Sequence, residues 1–140
     1  MKAARIVLDT NVLVSAIRSR KSAAFKLVSQ IGTSHFEIAV SVPLVLEYEE
    51  VLLRKLQDTQ LTFQDVADLL DYLCSVASKQ EIFYLWRPVL TDPDDDMILE
   101  LAVAAECAVI VTFNGRDFGG ARRFGVRALT PQEFLDQNGA

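Results

Sequence analysis

A chain of 140 residues, 51% hydrophobic and 24% charged, suits one domain with one packed core and is neither disordered nor fibrous. Its formal charge of −5 and sequence pI near 4.8 argue against a generally basic protein that coats nucleic acid. No run approaches the roughly 18 apolar residues of a membrane span. The first apolar run, Ile6-Val7-Leu8, stops at Asp9, short of the roughly 7–15 residues of a secretory h-region. A soluble, cytoplasmic chain is expected, with no membrane partner.

The first strand is predicted from Arg5 to Leu8, and Asp9 or Thr10 can cap a short helix to about Ile17. A basic segment, Arg18-Ser19-Arg20-Lys21, precedes a helix from Ala23 to about Ile31 that Ser22 can cap. Phe36 to Val40 reads as the second strand. Ser41 then caps a helix with Pro43 in its first turn, where a missing N–H costs little. That helix carries an apolar stripe (Leu44, Val45, Val51, Leu52, Leu56) with Glu47 at its edge. Thr62 to Val76 reads as an amphipathic helix whose Asp65, Asp68 and Asp71 form a solvated face.

A third strand is predicted from Ile82 to Trp86, followed by a polar loop from Arg87 to Asp96 and an apolar helix from Met97 to Glu106. Ala108 to Thr112 is a buried fourth strand, and a Gly-rich loop leads to a fifth around Val126 to Leu129. Thr130-Pro131-Gln132-Glu133 is a capping box with Pro at the first helical position, opening a terminal helix. Cys74 and Cys107 share no CxxC spacing and are expected as free thiols in apolar helical stretches. Strands alternating with helices predict an α/β fold: a three-layer α/β/α sandwich around a mostly parallel five-stranded sheet, in one domain.

In such a sheet, ligands bind beyond the carboxyl ends of the strands. Asp9 ends the first strand, and Asp92, Asp94, Asp95 and Asp96 follow the third. Asn114 and Asp117 follow the fourth, and Glu47 stands one turn into the helix after the second. Each has a plain structural reading: a cap for Asp9, an exposed acid for Glu47, turn formers for Asn114 and Asp117. Together they converge on one mouth, where like charges at 4 Å repel by about 4 kcal/mol per pair at an effective dielectric of 20. A cation relieves that repulsion. All-oxygen donors without His or Cys imply Mg²⁺ or Mn²⁺ rather than Zn²⁺, and thereby phosphodiester hydrolysis.

Four segments resemble, in order, the motifs of PIN domains, a family of metal-dependent ribonucleases. They are Ile6-Val7-Leu8-Asp9-Thr10-Asn11-Val12-Leu13-Val14-Ser15, Ser41-Val42-Pro43-Leu44-Val45-Leu46-Glu47, Asp95-Asp96-Met97-Ile98-Leu99-Glu100-Leu101-Ala102 and Val109-Ile110-Val111-Thr112-Phe113-Asn114-Gly115-Arg116-Asp117-Phe118. The resemblance is greatest to the compact bacterial PIN proteins that act as toxins of toxin–antitoxin pairs (VapC-like). It implies Asp9, Glu47 and Asp96 as metal-binding, catalytic acids, with Asp96 favoured over Asp95 and Asp117 as a displaced fourth. Asn11, Thr112 and Asn114 would be supporting polar residues. Many relatives carry an acid where this chain has the neutral Asn114.

The activity so implied is Mg²⁺- or Mn²⁺-dependent hydrolysis of RNA, with an antitoxin protein and a homodimer or higher homo-oligomer as expected partners. Arg18, Arg20, Lys21, Arg116, Arg122 and Arg123 lie on the motif-bearing loops and would hold the RNA backbone. Two other readings stay open. A phosphatase of the haloacid-dehalogenase kind wants an acid where Asn11 stands. A non-catalytic or weakly catalytic PIN module binding RNA or protein is kept open by Asn114.

Overall fold

A computed structural model describes residues 4–33, 35–81, 90 and 93–138. Its elements in chain order are β1 (Ala4–Leu8), α1 (Thr10–Arg18), α2 (Ala23–Ser29), β2 (Phe36–Val40), α3 (Val42–Arg54), α4 (Phe63–Val76), β3 (Ser78–Lys79), α5 (Pro93–Ala104), β4 (Val109–Val111), β5 (Arg127–Leu129) and α6 (Pro131–Gln137). A 3-10 turn at Leu56–Asp58 and a longer 3-10 segment at Gly115–Phe124 complete it.

The sheet is parallel throughout, in the order β3-β2-β1-β4-β5. Strands buried on both faces need apolar side chains without alternation, and Ile6-Val7-Leu8, Ala39-Val40 and Val109-Ile110-Val111 are such runs, all buried. Right-handed crossovers put the connections of the two halves on opposite sides of the sheet, which gives three layers. Phe134 of α6 meets Phe36 of β2 edge-on, ring centroids 5.4 Å apart.

Most helix starts follow their caps. Ser22, Ser41, Thr62 and Thr130 each accept an N–H of the first turn, and both threonines close capping boxes. Asp65, Asp68 and Asp71 are exposed, as expected, and the Asp65 carboxylate also accepts the Thr62 N–H at 2.8 Å, completing the α4 capping box. The strand after α4 forms at Ser78–Lys79, while the expected strand Ile82–Trp86 and Asp92 lie outside the described residues. The Gly-rich loop is largely 3-10 helical, kinked at Phe118. Cys107 is not helical but follows α5 in a turn, and burial pushes its thiol up to about 11; it and Cys74 are both free. Among the described residues no helix is long and apolar enough to cross a membrane.

Candidate active site

The chain runs outward from β1 in one direction through β2 and β3, then returns to build β4 and β5 on the other side. The order reverses between β1 and β4, and a crevice opens there beyond the strand ends. Register does the rest. Leu8 pairs with Val111, so Asp9 and Thr112 are the next residues of two adjacent strands. The backbone continues the pairing for one step: Asp9 N–H donates to Val111 C=O (2.9 Å) and Thr112 N–H to Leu129 C=O (2.8 Å).

Asp9 and Thr112 are both buried, and the Thr112 hydroxyl donates to Asp9 Oδ2 at 2.7 Å. The same Thr112 oxygen accepts from the Asn114 N–H (3.0 Å) and, more distantly, from Asn11 Nδ2 (3.5 Å). Asn11 Oδ1 accepts the Phe113 N–H at 3.4 Å, which ties the start of α1 to the turn after β4. Burial raises the pKa of Asp9, and the nearby charge of Asp117 adds to it. The Thr112 hydroxyl and the N–H groups of Thr10 and Asn11 pull the other way without cancelling the rise.

From α3, Glu47 accepts a short hydrogen bond from the buried Thr10 hydroxyl. Beside it, Tyr48 is fully buried and donates to the Leu8 C=O, joining α3 to the strand end that carries Asp9. Burial, then the charges of Asp9 and Glu47, push the Tyr48 hydroxyl well above its ordinary pKa and keep it a donor.

These groups surround an open cleft of about 350 Å³. Its walls are Asp9, Thr10, Asn11, Val14 and Arg18 from the β1–α1 unit, Glu47, Val51 and Lys55 from α3 and its end, Asp95 and Ile98 from α5, and Asn114 and Asp117 after β4. Asp9, Glu47, Asp117, Asn11, Asn114 and Arg18 from the sequence reading therefore meet at one place, with Thr112 behind Asp9. Asp96 does not line the cleft. It is buried and its Oδ1 accepts the Leu90 N–H at 2.9 Å, while its neighbour Asp95 faces the opening. Arg20, Lys21, Arg116, Arg122 and Arg123 are exposed and outside the walls.

Asp95, which the sequence reading placed second to Asp96, lines the wall, as does Lys55, which that reading passed over. The helix containing Asp95 begins at Pro93, about a turn before the expected Met97, and consecutive helical residues point roughly 100° apart. Lys55 ends α3 and carries no motif; only the length of that helix, Val42–Arg54, brings it to the mouth.

The donors suit a hard cation, being carboxylates and amide oxygens with no sulfur or imidazole on the walls. Among the described residues, no three acids stand close enough to hold one ion between them. Mg²⁺ does not require that, since it keeps several waters and takes one or two carboxylates plus substrate phosphate. Asp9 and Asp117 both line the cleft, and the charge of Asp117 adds to the rise in the Asp9 pKa.

Among curated proteins, none matches the chain. A family model of the PIN domain, whose members are usually nucleases and typically use divalent metal ions, matches residues 5–116. That stretch contains both strands of the switch point and every wall of the cleft except Asp117, and on it the chain belongs to the PIN-domain family.

Proposed function

We propose that the chain is an endoribonuclease that hydrolyses RNA phosphodiesters with Mg²⁺ or Mn²⁺ in this cleft. The observation that carries the reading is Asp9: a buried carboxylate, aimed by Thr112, opening into a cleft shared with Glu47, Asp95 and Asp117. A buried acid whose hydrogen bonds do not offset its desolvation is unfavourable for the fold alone and useful as half of a cation site.

Asp9 and Asp117 would hold the ion, and Glu47 and Asp95 offer further oxygens from the facing walls. When bound, the cation supplies Lewis-acid polarisation of the phosphate and acidifies a water. The protein's own part is positional. Thr112 fixes one oxygen of Asp9 and hence the direction of the other. Thr10 does the same for Glu47. Arg18 and Lys55 bring positive charge to the walls, where the phosphate of a bound strand must pass. Asp96, which the third motif points to, accepts the Leu90 N–H, and its neighbour Asp95 lines the wall.

Titrating Mn²⁺ into the protein with end-labelled RNA tests this. Cleavage that rises with metal and stops with chelator is expected. A second reading, a PIN module that binds without cutting, is favoured by Asn114 on the wall in place of an acid. Metal or RNA binding with no cleavage across varied RNAs would establish that reading instead. Asp95→Asn and Asp96→Asn separate the α5 acids, and Asp95→Asn is expected to lose more cleavage. The motif order, like that of the VapC-like toxins, extends the proposal to a small antitoxin protein as partner, which co-expression with the product of an adjoining gene would test.

A further inference from the structure

Phe113 stands between Thr112, which aims Asp9, and Asn114, which lines the cleft. The residue is nonetheless 46% exposed, although the backbone around it is pinned. Phe113 N–H donates to Asn11 Oδ1 (3.4 Å), and the Asn114 N–H donates to Thr112 Oγ1 (3.0 Å). The backbone that carries this large apolar side chain is thus fixed next to the cleft-lining Asn114. The residues that follow, Asn114, Gly115, Arg116 and Asp117, are all exposed and polar or small. Further along the same segment come exposed Arg122 and Arg123, with the Arg123 guanidinium 5.7 Å from the ring centre of half-exposed Phe124. Aromatic rings interleaved with cations are what an unpaired strand requires: faces for bases and charge for phosphates.

We propose that Phe113 is a stacking platform for an unpaired base next to the phosphate in the cleft, and that it makes the site selective for single-stranded nucleic acid. The inference rests on the nuclease reading and adds a specificity-determining residue to it. A paired base is already stacked on both faces and cannot take the ring; an unpaired one can.

The test uses the cleavage-blocked Asp9→Asn protein and oligonucleotides carrying 2-aminopurine, as RNA and as DNA, single-stranded and duplex. Quenching on binding of the single strands is expected. Phe113→Ala should bind them roughly 5- to 150-fold more weakly and lose the quench, the range for one stacked base. Phe113→Trp should keep both, Phe113→Leu should lose both despite its apolar bulk, and duplex binding should not change. Dependence on Phe113 with RNA alone or with both sugars supports the platform, and the two arms identify the strand. Unchanged single-strand affinity in Phe113→Ala, equal losses for duplex, or no quench with the parent would overturn it. Cleavage by the wild-type chain is scored separately, so a missing nuclease activity and a missing stacking contact give different results.

Discussion

Asp9 has a measurable cost when no cation is present. Its folded pKa lies above the ordinary 3.8, chiefly through burial and then through Asp117. Between those two values the native state binds more protons than the unfolded chain, so this group's contribution to stability falls as pH rises and stays low above the folded value. Asp9→Asn should therefore melt higher than wild type at pH 7, an advantage that shrinks as pH falls towards 3; thermal melts across that range check it. Mg²⁺ or Mn²⁺ should raise the wild-type midpoint at pH 7 and leave the Asn variant unmoved. Thr112 acts through Asp9. Thr112→Val, which keeps the shape and removes the donor, is expected to lower metal affinity or cleavage about 10- to 100-fold, as loss of a group orienting a metal ligand does. A fold held normally by Thr112→Val, with unchanged Mn²⁺ affinity, would remove Thr112 from the site.

At the scale of elements, the ends of helices show where sequence signals were legible and where they were not. Ser22, Ser41, Thr62 and Thr130 announced their helices because a hydroxyl ahead of an apolar stripe has a local partner to find. Asp65 lies on the exposed face its spacing indicates and, three residues after Thr62, also closes the capping box. β3 carried no signal, since Ser78–Lys79 is a polar two-residue strand that pairs with Ala39 and Val40. The segment after β4 was legible only as glycine-rich, because a kinked 3-10 helix has no apolar period.

The end of α5 offers a stability test free of the site. Cys107 N–H donates to Ala102 C=O and Glu106 N–H to Val103 C=O, a Schellman ending with Glu106 at φ 58° where glycine is usual. Glu106→Gly should stabilise the fold by about 1 kcal/mol in a denaturant titration, the cost of a left-handed residue with a Cβ. Gly32 is the opposite case. At φ +90°, an added Cβ would lie 2.0 Å from Tyr72 Oη, which donates to Ile31 C=O at 2.8 Å. Gly32→Ala should lose about 1–3 kcal/mol by the same measurement.

For the whole molecule, topology explains why most of the site could be read in advance. An open parallel sheet binds beyond its strand ends, so acids assigned to those ends (Asp9, Asp117) and to the helix after β2 (Glu47) had to approach one another. Asp95, placed second to Asp96, and Lys55, which was missed, depend on the phase and length of a helix, which no rule about strand ends supplies. Net charge misleads for a related reason. The chain's −5 is a sum over the surface, whereas the cleft gathers four acids with Arg18 and Lys55, and exposed arginines follow on the segment after β4. A strand of RNA meets that local arrangement and not the total. Asp9 at the switch point is the centre of the proposed site. Cleavage of labelled RNA, titrated with Mn²⁺ and followed in parallel for wild type and a demonstrably folded Asp9→Asn, tests it most directly. Metal-dependent cleavage by wild type and none by the variant is predicted; equal cleavage by both would contradict it.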